Sequence, residues 1–315
     1  MEIKWIIKML RALIAMLMLV FLSHESSAQQ QIGHTQFLWN QMSINPAYAG
    51  TKKALSAGLF FRSQWMGIEG APQTENLFVH APVAHGDFGL GLNVMRDQLG
   101  ISNTLSVQGD FAYKLRFNFG DLSLGLGAEY GNQRMNWTTA DPDEQFDPSI
   151  PFADISEPYY NFGFGAHFSN ELMYFGLSVP RLLETETKFT GEESSASALF
   201  QAKRHIYFTG GGMWQLNKDT WIHPIFMVKY VDGAPVQPDL GVLFLLNKSF
   251  WIGPSYRWGD SVSIMLDYAI TNQLKVGYAF DFTITEIQGH AGSHEFFLGF
   301  DVRKKKEGYN HPRFF

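Results

Sequence analysis

There is no cysteine anywhere in the 315 residues. That excludes disulfide bonds and thiolate metal sites, and makes a lipoprotein-type anchor an unexpected feature. Basic charge is also short: 24 Lys and Arg face 30 Asp and Glu, a net charge of −6. No basic face offsets phosphate repulsion, so nucleic acid is not an expected partner. Long apolar runs are missing as well. After the N-terminal stretch nothing approaches the ~20 residues that a membrane helix needs.

Catalytic constellations are equally scarce. HEFFL at 294–298 lacks the second histidine of a zinc-protease helix and falls in a strand pattern. TGGGMW at 209–214 has no Lys or Ser/Thr with which to cradle a phosphate. The ten histidines are scattered, with no pair at ligand spacing. Neither an enzyme nor a cofactor is expected. The one candidate cation site is the acidic run DPDEQFD, where Asp141, Asp143 and Asp147 offer oxygen ligands for calcium. It lacks the glycine and terminal glutamate of an EF-hand loop, and a solvated acidic loop is the plainer reading.

The opening residues read as a secretory signal spanning 1–28. Lys4, Lys8 and Arg11 precede an apolar run from Ala12 to Leu22, and Ser26, Ser27 and Ala28 supply the small residues of a cleavage site.

Beyond the signal the chain alternates with period two. In NTLSVQGDFAYKLRF, at 103–117, Leu105, Val107, Phe111, Tyr113, Leu115 and Phe117 oppose Ser106, Gln108, Asp110, Lys114 and Arg116. The same pattern recurs at 121–132, 272–284 and 294–303. Apolar-out and polar-in suits a lipid-facing barrel, but a soluble sandwich alternates just as well. Connection lengths break the tie. About fourteen strands are predicted, beginning near Ala54, Glu75, Asp87, Asn103, Asp121, Glu157, Leu172, Lys203, Thr220, Pro235, Lys248, Ser261, Asn272 and Ser293. The connections alternate between tight turns (VAHGD, NFGD, SNE, LNKD, LNKS, ITNQ) and longer ones, the longest at 136–157 and 183–202. Short turns inside and long loops outside is the rule for outer-membrane barrels.

The fold predicted is therefore all-β: a transmembrane antiparallel barrel over 54–303, with a lead-in or plug at 29–53 and a periplasmic tail at 304–315. Trp65, Trp137, Trp214, Trp221, Trp251 and Trp258 fall near strand ends and are expected in the aromatic girdles. Lys114, Arg116, Glu129, Arg257, Asp267, Lys275, Asp281, Glu295 and Arg303 are expected in the lumen. With charges of both signs there, a salt-bridged interior and an open pore are both compatible with the pattern.

Three segments stand out as candidate partner sites. Asn45, Pro46, Ala47, Tyr48, Ala49 and Gly50 precede the first strand, where a plug or brace is the plainer reading and a docking surface the functional one. Trp65, Gly70, Ala71 and Pro72 belong to the first outer loop, QWMGIEGAPQT, expected to fold inward as a constriction or to meet an exported protein. Pro312, Arg313, Phe314 and Phe315 end the chain in aromatics, expected to act as a signal for the barrel-assembly machinery.

QFLWNQMSINPAYAG resembles the opening signature of the PorP/SprF family, outer-membrane proteins of type IX secretion and gliding motility. FRSQWMGIEGAPQTENLFVHAPV, GLGLNVMRDQLGI, LSLGLGAEYG and the terminal HPRFF match in order. At Phe314 the family would carry tyrosine. The resemblance implies a non-enzymatic outer-membrane component that helps deliver or anchor secreted surface proteins. Its implied partners are type IX components and a secreted protein, held through its C-terminal signal domain. A porin-like channel for small solutes is the alternative, and outer-membrane lipid surrounds the barrel in either case.

Overall fold

The computed structural model describes residues 33–302 apart from 53, 141–152, 191–196 and 288, and gives backbone alone for 185–190 and 197–202. The wall starts with β1 (Leu55–Ser63), β2 (Gln73–Val83), β3 (Phe88–Leu99), β4 (Ser102–Phe117), β5 (Gly120–Met135), β6 (Ile155–Ser169) and β7 (Met173–Val179). Two strands, β8 (Thr185–Thr190) and β9 (Ser197–Ala202), form a separate hairpin. The wall resumes with β10 (His205–Gly212), β11 (Trp214–Gln215), β12 (Thr220–Val231), β13 (Gln237–Leu246) and β14 (Phe250–Arg257). It ends with β15 (Ser261–Ala269), β16 (Leu274–Thr283) and β17 (Ser293–Val302).

Each wall strand pairs antiparallel with the next, and β1 closes on β17 in the register Leu55↔Val302 to Ser63↔His294. Both β10 and β11 pair with β12, so they are two pieces of one strand, broken where Met213 turns inward. The result is a closed barrel of fourteen strands. Closure leaves the wall no free edge, the condition for a sheet in hydrocarbon, where an unpaired backbone group costs several kcal/mol.

Every predicted strand start lies within two residues of an observed one. The alternation also resolves as predicted: Leu126 and Tyr130 are exposed outward, while Ser123 and Glu129 are buried, and β6 continues it with Tyr160 and Phe162 outward and Asn161 buried. One end carries only short connections, while the other carries every long loop together with two tight turns, at 100–101 and 258–260, where longer connections were expected. At Asn247 and Lys248 two successive positive φ angles, 49° and 58°, give the backbone twist that matches two antiparallel strands. By the loop-length rule the first, tight-turn end is periplasmic.

Candidate functional site

The interior holds more than polar side chains. Residues 33–50 run through the lumen, and their path is set by local chemistry. Asn45 is extended, as a residue before proline prefers, and its side chain accepts the Ala47 N–H at 2.9 Å. Pro46 then opens a single 3-10 turn, Pro46–Tyr48, whose first N–H would have been unpaired in any case.

The segment's first described residues lie at the long-loop end. Gly33 lies against the guanidinium of Arg257, at the end of β14. The Thr35 and Gln36 N–H groups donate to the two oxygens of Glu295, at 3.0 and 2.9 Å. The Thr35 hydroxyl donates to Asp281 at 2.8 Å. Arg62 completes the cluster, reaching Asp281 at 2.6 Å and Glu295 at 3.2 Å. These three charges come from β1, β16 and β17, so the segment is tied to the seam where the barrel closes.

From there the segment descends. Trp39 stacks on Phe297 with centroids 6.3 Å apart, meets Trp251 edge-on, and takes the Lys275 ammonium over its ring at 3.3 Å. Phe37, Leu38, Met42, Ile44 and Tyr48 are buried with it among inward residues of the wall. Burying an apolar side chain of this size contributes roughly 1.5–3 kcal/mol.

On the far wall the segment's backbone meets glycines. A methyl group built at Gly89 would collide with the Ala49 carbonyl, at Gly125 with the Ala47 backbone, and at Gly165 with the Asn45 side chain. Tyr48 lies between His80 and His167, each with centroids 5.4 Å away. Gly50, at φ 67°, turns the chain out at the tight-turn end, its N–H donating to His80 at 3.1 Å.

This corrects one expectation and sharpens another. The stretch before β1 is a lumenal segment from 33 to 50, and only its last few residues lead in from the periplasmic end. Trp221 and Trp251 are 7% and 0% exposed, turned to the barrel interior instead of the lipid girdle, and Trp251 supplies aromatic bulk that meets Trp39 there. Trp214 and Trp258 are exposed at strand ends as expected. Of the predicted lumenal charges, Glu129, Arg257, Asp267, Asp281 and Glu295 are buried inside. Arg116 is exposed at the tight-turn end, paired with Asp87 at 2.9 Å.

The six residues 45–50 are thus brought together, all buried, so a partner reaches their side chains only if the segment leaves the barrel. Trp65, Gly70, Ala71 and Pro72 are elsewhere, on the outer rim. Their loop is a braced turn and not a lumenal constriction. The Met66 N–H donates to the Gly292 carbonyl and the Ala291 N–H to the Met66 carbonyl, both at 2.8 Å, while the Gly100 N–H donates to the Gly70 carbonyl at 2.8 Å. Trp65 itself has φ 48°, and its N–H donates to Ser293 Oγ at 3.1 Å. Pro312, Arg313, Phe314, Phe315, Arg303 and the candidate calcium ligands Asp141, Asp143 and Asp147 lie outside the described residues.

Sequence reasoning missed the anchors Thr35 and Gln36 and the β8–β9 hairpin. Glycine at alternate inward positions, as in Gly89 and Gly91 or Gly125 and Gly127, was the available signal for a chain packed against the wall.

Residues 26–300 match the family described as "Type IX secretion system membrane protein PorP/SprF". None of the curated proteins matches the chain. Among solved structures, the CymD monoaromatic hydrocarbon channel aligns over 89% of this chain and 95% of its own, with 10% identity and a TM-score of 0.50. The toluene transporter TodX of P. putida aligns over 85% and 95% with 8% identity and a TM-score of 0.49. A KdgM porin aligns over 79% and 99% with 13% identity and a TM-score of 0.39. At such identities the likeness is one of fold.

Proposed function

Because this chain belongs to the PorP/SprF family of type IX secretion system membrane proteins, we propose that it is a non-conducting scaffold in the outer membrane. It helps deliver or anchor secreted surface proteins, with gliding as one setting. It binds the C-terminal signal domain of a secreted protein at its outer rim and type IX apparatus on the periplasmic side. The C-terminal tail, including Pro312 to Phe315, serves assembly and periplasmic docking, and an N-terminal signal exports the chain.

One observation supports scaffold over channel. Residues 33–50 fill the lumen with buried aromatic side chains and meet the wall closely at Gly89 and Gly125. A solute channel needs a wet path at that place.

The test is a tagged pull-down from gently solubilised outer membranes, with co-purifying proteins identified by mass spectrometry and the purified barrel placed in planar bilayers. Recovery of a large secreted protein or type IX components, together with electrical silence, is the expected result. A barrel that comes out alone and conducts stably is the porin-like alternative.

A further inference from the structure

The β8–β9 hairpin stands outside the closed wall, at the long-loop end, with its own ladder from Thr185↔Ala202 to Thr190↔Ser197. A two-stranded ribbon is marginally stable at best in water, and a third strand is what stabilises it. Its base is nevertheless held firmly. Arg181, just after β7, donates to both oxygens of Glu129, at 2.6 and 2.7 Å. The Asn161 side chain exchanges two hydrogen bonds with the Leu183 backbone, at 2.8 and 2.9 Å, and Arg204 Nε donates to the Leu182 carbonyl at 3.0 Å. A braced base carries a ribbon with no third strand paired to it among the described residues.

The two strands differ in how they guard themselves. Edge strands of soluble sheets carry charge, proline or a bulge, which stops them pairing with other chains. β8 reads TETKFT, with Glu186 and Lys188 in it, and it is the strand that approaches β6. β9 reads SALFQA, with no charge, proline or glycine. In a barrel whose wall strands are all paired, this is an edge that no other strand pairs with among the described residues.

We infer that the outer edge of β9 is a docking site for an extended strand of an exported polypeptide, added as a third strand to the ribbon. The inference rests on the secretion reading above and gives that reading an address. Main-chain hydrogen bonds supply the affinity. Lys203 and Arg204 follow β9 directly, so the fitting strand is uncharged beside Ser197–Ala202 and acidic beside Lys203. The location at the long-loop end selects a partner outside the cell.

The test uses the full chain in the outer membrane of secreting cells. A photo-crosslinking residue is placed in turn at Ala198 and Ala202 in β9, and at Thr185 and Thr187 in β8. Adducts from the β9 positions that map to one short segment of an exported protein are expected. Leu199→Lys, which puts a guarding charge on the edge, is expected to lower the yield at least about fivefold. Thr187→Lys is expected to leave it unchanged. Retention of the heat-modifiable, folded band in gels shows that the barrel survives in both variants.

Absence of adducts, equal yields from β8 and β9, insensitivity to Leu199→Lys, or adducts joining two copies of this chain would each overturn the inference. The pull-down separates the two levels. If Leu199→Lys still recovers the secreted partner in full, the edge is wrong and the scaffold stands. If the unaltered chain recovers nothing, the scaffold reading itself fails.

Discussion

Arg62 is 3% exposed between two carboxylates, and those carboxylates also hold the N–H groups of Thr35 and Gln36. Removing one member of a buried ionic cluster leaves the others charged and unpaired, which costs about 3–5 kcal/mol. Arg62→Leu is therefore expected to lower the urea midpoint of the folded band in detergent by that equivalent. Lys52→Ala provides the contrast. Its partner Asp301 lies 3.4 Å away, both are about one-fifth exposed, and such pairs contribute about 0–1 kcal/mol. Equal effects from the two substitutions would contradict the cluster's importance.

Asp154 offers a pH test outside the wall. Hydrogen bonds from Arg134 and from the Thr138 N–H and hydroxyl hold its carboxyl down from the ordinary 3.8 to about 2. A depressed carboxylate contributes fully above its ordinary value, and the contribution is lost as pH falls from there through the folded value. The Thr138 amide resonance is expected to stay unchanged from neutrality to about pH 4 and to shift below that with its midpoint at about pH 2. A shift centred near pH 4 would show that the three hydrogen bonds are not formed.

The lumenal segment shows where reading the sequence stops. Strand starts and faces were legible because lipid on one side imposes a strict period of two. The Pro46 turn was legible too, since proline constrains both itself and Asn45. The direction of the segment was not. It depends on pairings such as Thr35 with Glu295 and Trp39 with Phe297, which join residues some 260 positions apart and leave no local pattern. Trp221 and Trp251 misled for the same reason: a tryptophan at a strand end reads alike whether it faces lipid or a buried neighbour. The β8–β9 hairpin hid behind acidic flanks that resemble a solvated loop.

The segment's packing gives two linked expectations. Deleting 33–50 removes the aromatic filling, so the variant is expected to conduct in planar bilayers and the full chain to be silent. Gly125→Val drives a side chain into the Ala47 backbone and is expected to loosen the segment, read as faster protease cleavage within 33–50. A silent deletion variant with an intact folded band would mean that wall side chains alone close the lumen.

Taken together, the strands make a wall of uneven height. β4 and β5 have 16 residues each and β6 has 15, whereas β7 has 7, β14 has 8 and β15 has 9. At ~3.3 Å per residue and a tilt near ~40°, sixteen residues rise ~40 Å and eight rise ~20 Å, against an apolar band of ~25 Å. At the tight-turn end β4 runs on four residues past its last β3 partner, Phe88↔Tyr113, to pair with β5 as far as Phe117↔Gly120; the rest of the surplus stands beyond the outer leaflet on the β4–β6 side. The outward faces agree. Above Leu105, Tyr130 and Tyr160 come Asn103, Asn132, Arg134 and Ser156, whereas Val262 and Phe282 stay apolar to the ends of β15 and β16. With no native cysteine to give background, Asn103→Cys and Ser156→Cys are expected to react with a membrane-impermeant maleimide on intact cells. They should do so at least about tenfold faster than Val262→Cys and Phe282→Cys, which sit within the lipid band. His85→Cys, in the tight turn after β2, is expected to react only after the outer membrane is opened. Equal labelling around the rim would flatten the wall, and labelling of His85→Cys on intact cells would invert the barrel and move the β9 edge to the wrong side of the membrane.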